Sequence, residues 1–414
     1  MEIDQLFTTA IGIVDPWIIE SMSVDHEQKR LDIHVNFSKG ALFSYTNEET
    51  GEVKEYKAYD TRKKTWRHLN FFDYQCYLIV RTPRIKPDKG GIKLILPPWS
   101  GVMFGFTMMF EALILEMSRH MPIYHVGQML TVYEKKIWNL LDCYVTRSYF
   151  ADDHSAVKIL GMDETSIKKG HQYITLFVDL IRTRTIHISD GKGSKTVTDF
   201  AKAFVDSKGV KDNISDVSCD MSPAFIKGIH DEFPSAAITF DKFHIIKIIN
   251  EGVDAVRRTE VKTVPALKGA RFAVLKNAAN LTRKQSEKRE QLSGMNLKTS
   301  RAIRIREGFQ AIYQARDMDH FKQLLNEWYY WATHSQLAPI KKVAKTIKRH
   351  WDGILQWKES QINNGILEGL NSIIQAAKRK ARGYGKDHFK TMAFLLTGKL
   401  NLKRFNPHLP TYFS

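Results

Sequence analysis

Three acidic residues stand where a stiff frame would aim them at one point. Asp163 follows the apolar run Val157-Lys-Ile-Leu-Gly-Met, Asp220 follows Val217-Ser-Cys, and Glu368 lies in the helical run Asn364-Gly-Ile-Leu-Glu-Gly-Leu-Asn-Ser-Ile-Ile. Two strand-end aspartates and a distant helical glutamate suit a pair of divalent cations, because hard cations take carboxylate oxygens from a rigid frame. The chemistry such a set supports is the cutting and rejoining of phosphodiester bonds. Each residue also has a plainer reading: a cap or turn for either aspartate, a solvated helix position for the glutamate. Glu368, however, sits among Ile366, Leu367, Leu370 and Ile374. It therefore borders a buried stripe and wants a cation or a basic partner. Glu164 points to the opposite face of a continuing strand from Asp163, so only one of the two can serve the site, and Asp163 is the choice. Asp241 and His244, at the start of a later helix, could add a ligand or orient a water, although a cap with a satisfied histidine explains them as well.

The elements that must hold these residues follow from periodicity. A strand over 157–162 ends at Asp163, and strands over 173–179 and 185–189 follow at hairpin spacing, with Gly170 in the first connection. A helix over about 196–205 leads to a strand over 217–219 ending at Asp220. Pro223 opens a helix reaching about 232, since its fixed φ suits a first turn. A last strand over 236–240 runs into Asp241 and the helix of His244-Ile-Ile-Lys-Ile-Ile. Three strands in hairpin succession, then strand, helix, strand, helix, is the order of a ribonuclease-H-like mixed sheet. A doubly wound sheet would need helical crossovers between the first three strands, and the gaps are too short.

Around this core the chain reads as α/β and multi-domain. Residues 1–98 are β-rich, with period-two alternation in Leu31-Asp-Ile-His-Val-Asn-Phe and an aromatic set (Tyr45, Trp66, Phe71, Phe72, Tyr74) suited to a small core. Residues 99–150 hold three short helices resembling a DNA-binding helix-turn-helix, the third offering Lys135 and Lys136 to a groove. Thr131 stands where a turn glycine is expected. Core residues 151–258 are followed by an all-α insertion over 259–345, and 346–414 returns to the core with the Glu368 helix and a basic segment. In that segment Lys378, Arg379, Lys380 and Arg382 lie ten to fourteen positions beyond Glu368. A solvated face is one reading of them, a grip on a DNA strand the other. Trp328, Tyr329, Tyr330 and Trp331 read first as core of the insertion and second as a base-stacking patch.

Composition bounds the partners. With 62 Lys and Arg against 45 Asp and Glu, the 414-residue chain carries a net charge of +17. A polyanion is the natural partner, since each cation placed on a phosphate releases condensed counterions. Three scattered cysteines have no ligand spacing and suit a reducing compartment. The absence of a basic leader and of a membrane-length apolar run makes a soluble intracellular protein the expectation. Gly191-Lys-Gly-Ser-Lys-Thr lacks the spacing of a phosphate-binding loop, and no serine or cysteine has the setting of a nucleophile.

The strings Leu160-Gly-Met-Asp-Glu-Thr, Thr239-Phe-Asp-Lys-Phe-His, Asn364-Gly-Ile-Leu-Glu-Gly-Leu-Asn-Ser and Asp60-Thr-Arg-Lys-Lys-Thr-Trp-Arg-His-Leu resemble the ISL-three family of bacterial insertion-sequence transposases over about residues 30–400. The resemblance implies a DDE transposase with Asp163, Asp220 and Glu368 as its acidic triad and Asp241 and His244 as an accessory motif. It also implies two magnesium ions per active site, with manganese as a substitute. Double-stranded DNA, as transposon ends and target, is the implied substrate, held by a homodimer or higher assembly in a bacterial cytoplasm, associated with the nucleoid. Family members commonly open with a four-cysteine zinc finger. Here Phe43-Ser-Tyr-Thr, Glu49-Thr-Gly and Arg84-Ile-Lys-Pro-Asp-Lys-Gly occupy the matching places, so no zinc is expected. A transposon-derived DNA-binding protein without catalysis, or a ribonuclease-H-like nuclease that cuts without joining, are the alternatives.

Overall fold

The computed structural model describes residues 3–47, 49–88, 90–103, 105–168, 172–362, 365–381 and 383–409. Gly170, Asn364 and Arg382, singled out above, lie outside them. The chain divides into two compact units, Met1–Ala151 with Ile374–Ser414, and Asp152–Ile373. Among the described residues no helix is long and apolar enough to cross a membrane.

The first unit opens with a helix the sequence reading did not anticipate, α1 (Ile3–Ile11). Seven strands follow: β1 (Trp17–Asp25), β2 (Arg30–Phe37), β3 (Leu42–Thr46), β4 (Val53–Lys57), β5 (Asp60–Arg67), β6 (Gln75–Ile85) and β7 (Lys93–Leu94). They form a mixed sheet in the order β1-β2-β6-β5, with β7 on β6, and a separate β3–β4 hairpin. The alternation read in β2 turns Leu31, Ile33 and Val35 into the core, each at most 4% exposed. Trp17, Phe37, Phe43 and Trp99 pack edge to face or tilted around it. Trp66 is buried there as expected, with Tyr45 and Tyr74 against the cluster. Phe71 and Phe72 are instead exposed, at 43% and 85%, because the tight turn at Phe72 turns them outward.

Helices α2 (Met108–His120), α3 (Ile123–Leu130) and α4 (Glu134–Phe150) complete the amino-terminal part. Thr107 caps α2 by accepting the Phe110 N–H, and Pro122 separates α2 from α3. Thr131 adopts the left-handed conformation that a turn glycine would take freely, φ 54°.

The second unit is built on the sheet of β8 (Ile159–Lys168), β9 (Gln172–Asp179), β10 (Arg184–Asp190), β11 (Asp216–Cys219) and β12 (Ala237–Phe240), in the order β10-β9-β8-β11-β12. The first three strands pair antiparallel, as short connections require, while β11 runs parallel to both β8 and β12. Helices α5 (Ser194–Asp206) and α6 (Pro223–Glu232) supply the crossovers. Phe177, Phe200, Phe204, Phe225 and Val217 are fully buried in the core of this unit. At about 25 cal/mol per Å² of apolar surface, each such phenylalanine contributes roughly 2–3 kcal/mol before entropy is counted.

From α7 (Lys242–Glu260) onward the unit is helical: α8 (Arg271–Leu275), α9 (Arg283–Ser293), α10 (Lys298–Ile312), α11 (Met318–His334), α12 (Ala338–Arg349), α13 (Trp351–Ser360) and the first half of α14 (Gly365–Lys380), whose residues from Ile374 on are counted with the first unit. Helix α7 is the spine, with α10 and α12 against it. Helix α13 lies on β12 so closely that a Cβ at Gly353 would fall 2.4 Å from the Phe240 ring. Of the aromatic run, Trp328 is buried and donates its indole N–H to the Ile305 carbonyl, while Tyr330 and Trp331 are exposed. The last helix, α15 (Lys386–Thr397), belongs to the first unit, where His388 stacks flat on Trp138 of α4 at 4.0 Å.

Candidate active site

The register of three strands sets the geometry of the acidic residues. Ser218 of β11 pairs with Gly161 of β8, and Cys219 pairs with Phe240 of β12. Two steps beyond the first pair stand Asp220 and Asp163; one step beyond the second stand Asp220 and Asp241. The three aspartates thus form one transverse row across adjacent strands, and the Asp241 N–H continues the ladder by donating to the Cys219 carbonyl at 3.1 Å. Strand β8 does not end at Asp163, as the sequence reading has it, but runs on to Lys168. The polar stretch after Asp163 stays in the sheet because β9 pairs with it, Asp163 opposite Leu176 and Glu164 opposite Thr175.

Alternation along β8 gives its two faces different work. Leu160 and Met162 join the apolar core. Gly161, Asp163 and Thr165 face the other way, toward α14. A Cβ at Gly161 would lie 3.0 Å from Leu367 Cδ2 and 2.8 Å from Leu180 Cδ2, so the missing side chain lets α14 approach. The Asn371 amide of α14 donates to Asp163 Oδ2, and Thr165 Oγ1 donates to Asn371 Oδ1. Asn371 lies one turn beyond Glu368, so both belong to the same helical face. Glu368 itself is exposed and, with Asp241, lines a cavity of about 850 Å³.

Each aspartate already has a backbone partner. Asp163 Oδ1 accepts the Glu164 N–H at 2.8 Å, Asp220 Oδ1 accepts the Ser222 N–H at 2.9 Å, and Asp241 Oδ1 caps α7 by accepting the Phe243 N–H at 2.8 Å. Burial, reinforced by the charges of Asp241 and Asp220, pushes the Asp163 carboxyl up to about 6, although the Glu164 N–H and His244 work against it. Glu164 is raised as well, first by burial and then by Asp220. His244 Nδ1 stands 3.8 Å from Asp241 Oδ2, buried and without a hydrogen bond among the described residues.

The donor set fits a hard divalent cation in type, being carboxylate oxygens on a rigid frame, with burial and the neighbouring carboxylates raising the Asp163 carboxyl. Among the described residues no three carboxylate, imidazole or thiol groups already stand together as a ready-made metal cluster.

The other candidates are distributed over the molecule. Lys135 and Lys136 are exposed in the first turn of α4, Lys136 6.0 Å from the Phe106 ring. Lys378, Arg379 and Lys380 form the last turn of α14, with Lys378 6.0 Å from the Phe389 ring. Asn371 and Thr165 were missed by the sequence reading. The signal for Asn371 was its spacing of three from Glu368, which puts an amide beside the glutamate; nothing in the sequence said which strand it would touch.

A family model described as transposase, of the ISL-three type, matches residues 160–393. The chain belongs to the ISL-three family of insertion-sequence transposases. The matched span begins on β8 and takes in all three aspartates, the helical segment and α14. The transposase for insertion sequence element IS1001 of Bordetella parapertussis is 27% identical over 339 residues, covering 79% of this chain and 82% of that protein. The transposase for insertion sequence element IS1557 of Mycobacterium tuberculosis is 23% identical over 380 residues, covering 84% of this chain and 83% of its own. Both similarities extend beyond the family span, so the likeness of this transposase to its relatives is not confined to the acidic segment.

Proposed function

We propose that this transposase is a DDE enzyme that binds the terminal inverted repeats of its element, cleaves DNA strands there and joins them to a target. The observation that supports the reading is the row of Asp163, Asp220 and Asp241 across β8, β11 and β12, with Asn371 of α14 bound to Asp163 and Glu368 lining the same cavity as Asp241. The strand order β10-β9-β8-β11-β12, antiparallel then parallel, supports a ribonuclease-H-like core interrupted by an all-α insertion. Asp163, Asp220 and Glu368 would hold two magnesium ions. Bound there, the ions supply charge neutralisation at phosphorus and an oxygen nucleophile of lowered pKa. The chain's own residues do the rest. Asn371 fixes the Asp163 carboxylate from one side and the Glu164 N–H fixes it from the other. The Ser222 and Phe243 N–H groups, donating to Asp220 and Asp241, hold these carboxylates at the strand ends.

The helices α2, α3 and α4, with Lys135 and Lys136, are assigned to end recognition, and Lys378, Arg379, Lys380 and Arg382 to the DNA backbone. Two ends must be held at once, which calls for a homodimer or larger assembly.

A supercoiled plasmid carrying the element's own ends, incubated with magnesium, tests the whole assignment. Wild-type protein is expected to cleave and join, while Asp163→Asn and Glu368→Gln bind the ends with near-wild-type affinity and do neither. Cleavage by either variant would refute the triad. Cleavage without joining would make the protein a nuclease, and end binding without any cleavage would make it a DNA-binding protein only.

A further inference from the structure

The cavity of about 850 Å³ that Glu368 and Asp241 share extends away from the acidic row, into the helical part of the same unit. Four carboxamides line it: Asn277, Gln310, Gln314 and Gln361. They come from three separate segments of the chain, Gln310 and Gln314 both from the end of α10. Gln310 Nε2 donates to Asn277 Oδ1 at 2.8 Å, so this pair keeps an acceptor on one amide and a donor on the other. Gln361 sits at the left-handed residue ending α13, φ 51°, with its amide donating to the Lys358 carbonyl. One wall is aromatic. Phe243, two residues after the Asp241 cap, is 57% exposed, and the half-buried Trp357 completes that wall. Lys242 supplies a cation, its Nζ 4.3 Å from the Tyr313 ring centroid and 5.7 Å from that of Trp357. Among the described residues Lys242 makes no ion pair, and burial lowers its pKa.

A site with carboxamides, aromatic faces and one cation is neither a lipid pocket nor a groove for an apolar helix. Carboxamides carry both a donor and an acceptor, as the Watson–Crick edge of every nucleobase does. An open aromatic face takes a base of any sequence, and the volume lies within the ~300–1,000 Å³ usual for small-ligand sites. Because Asp241 and Glu368 are among its lining residues, whatever fills it borders the phosphodiester proposed to lie at the acidic row. We infer that the cavity receives a single nucleotide swung out of the DNA duplex beside the bond to be cut. Phe243 stacks on its base, the carboxamides meet its hydrogen-bonding edge, and Lys242 faces its phosphate. Unstacking and unpairing one nucleotide of a duplex costs a few kcal/mol, and the contacts of the pocket offset that cost. This inference rests on the DNA-cleaving reading of the acidic row.

The test separates the two. Duplexes of the element's end, each carrying one 2-aminopurine at successive positions around the cleavage point, are bound by the full-length protein in calcium. Aminopurine is dark in the base stack and bright outside it. Fluorescence is expected to rise several-fold at one position with wild type. With Gln310→Ala/Gln314→Ala the rise is expected to be lost at protein concentrations where fluorescence anisotropy of an end-labelled duplex shows the DNA saturated. Absence of a rise at every position, or a rise unchanged in the double variant, overturns the inference. Phe243→Ala, whose side chain is exposed, provides a second variant under the same criterion. Magnesium-dependent cleavage is scored separately on the unlabelled duplex. A position-specific rise without cleavage upholds the pocket and sinks the catalytic reading, whereas cleavage without a rise does the reverse.

Discussion

Burial and the neighbouring Asp241 and Asp220 hold the Asp163 carboxyl protonated up to about pH 6, well above the ordinary aspartate range near 4. The folded chain therefore binds that proton more tightly than the unfolded chain does. Its contribution to stability is full below about pH 4 and is lost as the pH climbs through 6. At pH 8 without metal the ionised side chain is a liability that asparagine lacks. Asp163→Asn should then be more stable than wild type by about 1–2 kcal/mol, discounted because the site is only partly shielded from water. The gap should close at pH 4. Magnesium should reverse the order at pH 8 by stabilising the wild type alone. Calorimetric scans at both pH values, with and without magnesium, check this, and a variant that melts lower than wild type at pH 8 without metal contradicts it. On the proposed reading Asn371, which donates to Asp163, acts through that carboxylate and not on the substrate. Asn371→Ala should cut the cleavage rate by about 10–100-fold and raise the magnesium midpoint, leaving DNA affinity unchanged. A loss of DNA binding instead would show that Asn371 has a different role.

At the level of elements, the approach of α14 to β8 depends on an absent side chain. Gly161→Ala would drive a methyl group into Leu367 and Leu180, at 3.0 and 2.8 Å. A destabilisation of about 1–3 kcal/mol is expected in urea melts, and catalysis should fall with it, because Glu368 and Asn371 ride on that helix. Thr131 presents the opposite case. Its φ of 54° costs a threonine what a glycine would not pay, so Thr131→Gly should gain about 1 kcal/mol. The order of strands and helices from β8 to α7 was legible because each strand is a short apolar run closed by an aspartate, glycine or proline. The extension of β8 past Asp163 was not. Asp-Glu-Thr-Ser has no strand signal of its own and stays extended because β9 pairs with it and Asn371 binds Thr165. Helix α1 was lost for a similar reason, as nine residues carry too little periodicity to stand out. The aspartate row needed strand register, which no single-sequence pattern supplies, although the residues in it were all recognisable as candidates. The amide-lined cavity was illegible altogether, its walls being drawn from segments scattered between Asp241 and Glu368.

Across the whole molecule the dominant physical quantity is charge. A net charge of +17 on 414 residues means that DNA binding gains much of its free energy from released counterions. Affinity for any duplex should therefore fall steeply between about 50 and 200 mM salt, with a slope of log affinity against log salt near −0.9 for each phosphate neutralised. Arg379 and Lys380 are exposed at the end of α14. If both contact the backbone, Arg379→Ala/Lys380→Ala should make that slope shallower by about two and weaken element ends and random duplex alike. Lys135→Ala/Lys136→Ala in the first turn of α4 should behave differently if those residues lie in a groove. It should weaken the element's ends more than random DNA, so that the ratio of the two affinities falls. Titrations of both duplexes at several salt concentrations distinguish the cases. A slope unchanged by the first pair would return Arg379 and Lys380 to an ordinary solvated face, and a ratio unchanged by the second would remove α4 from end recognition.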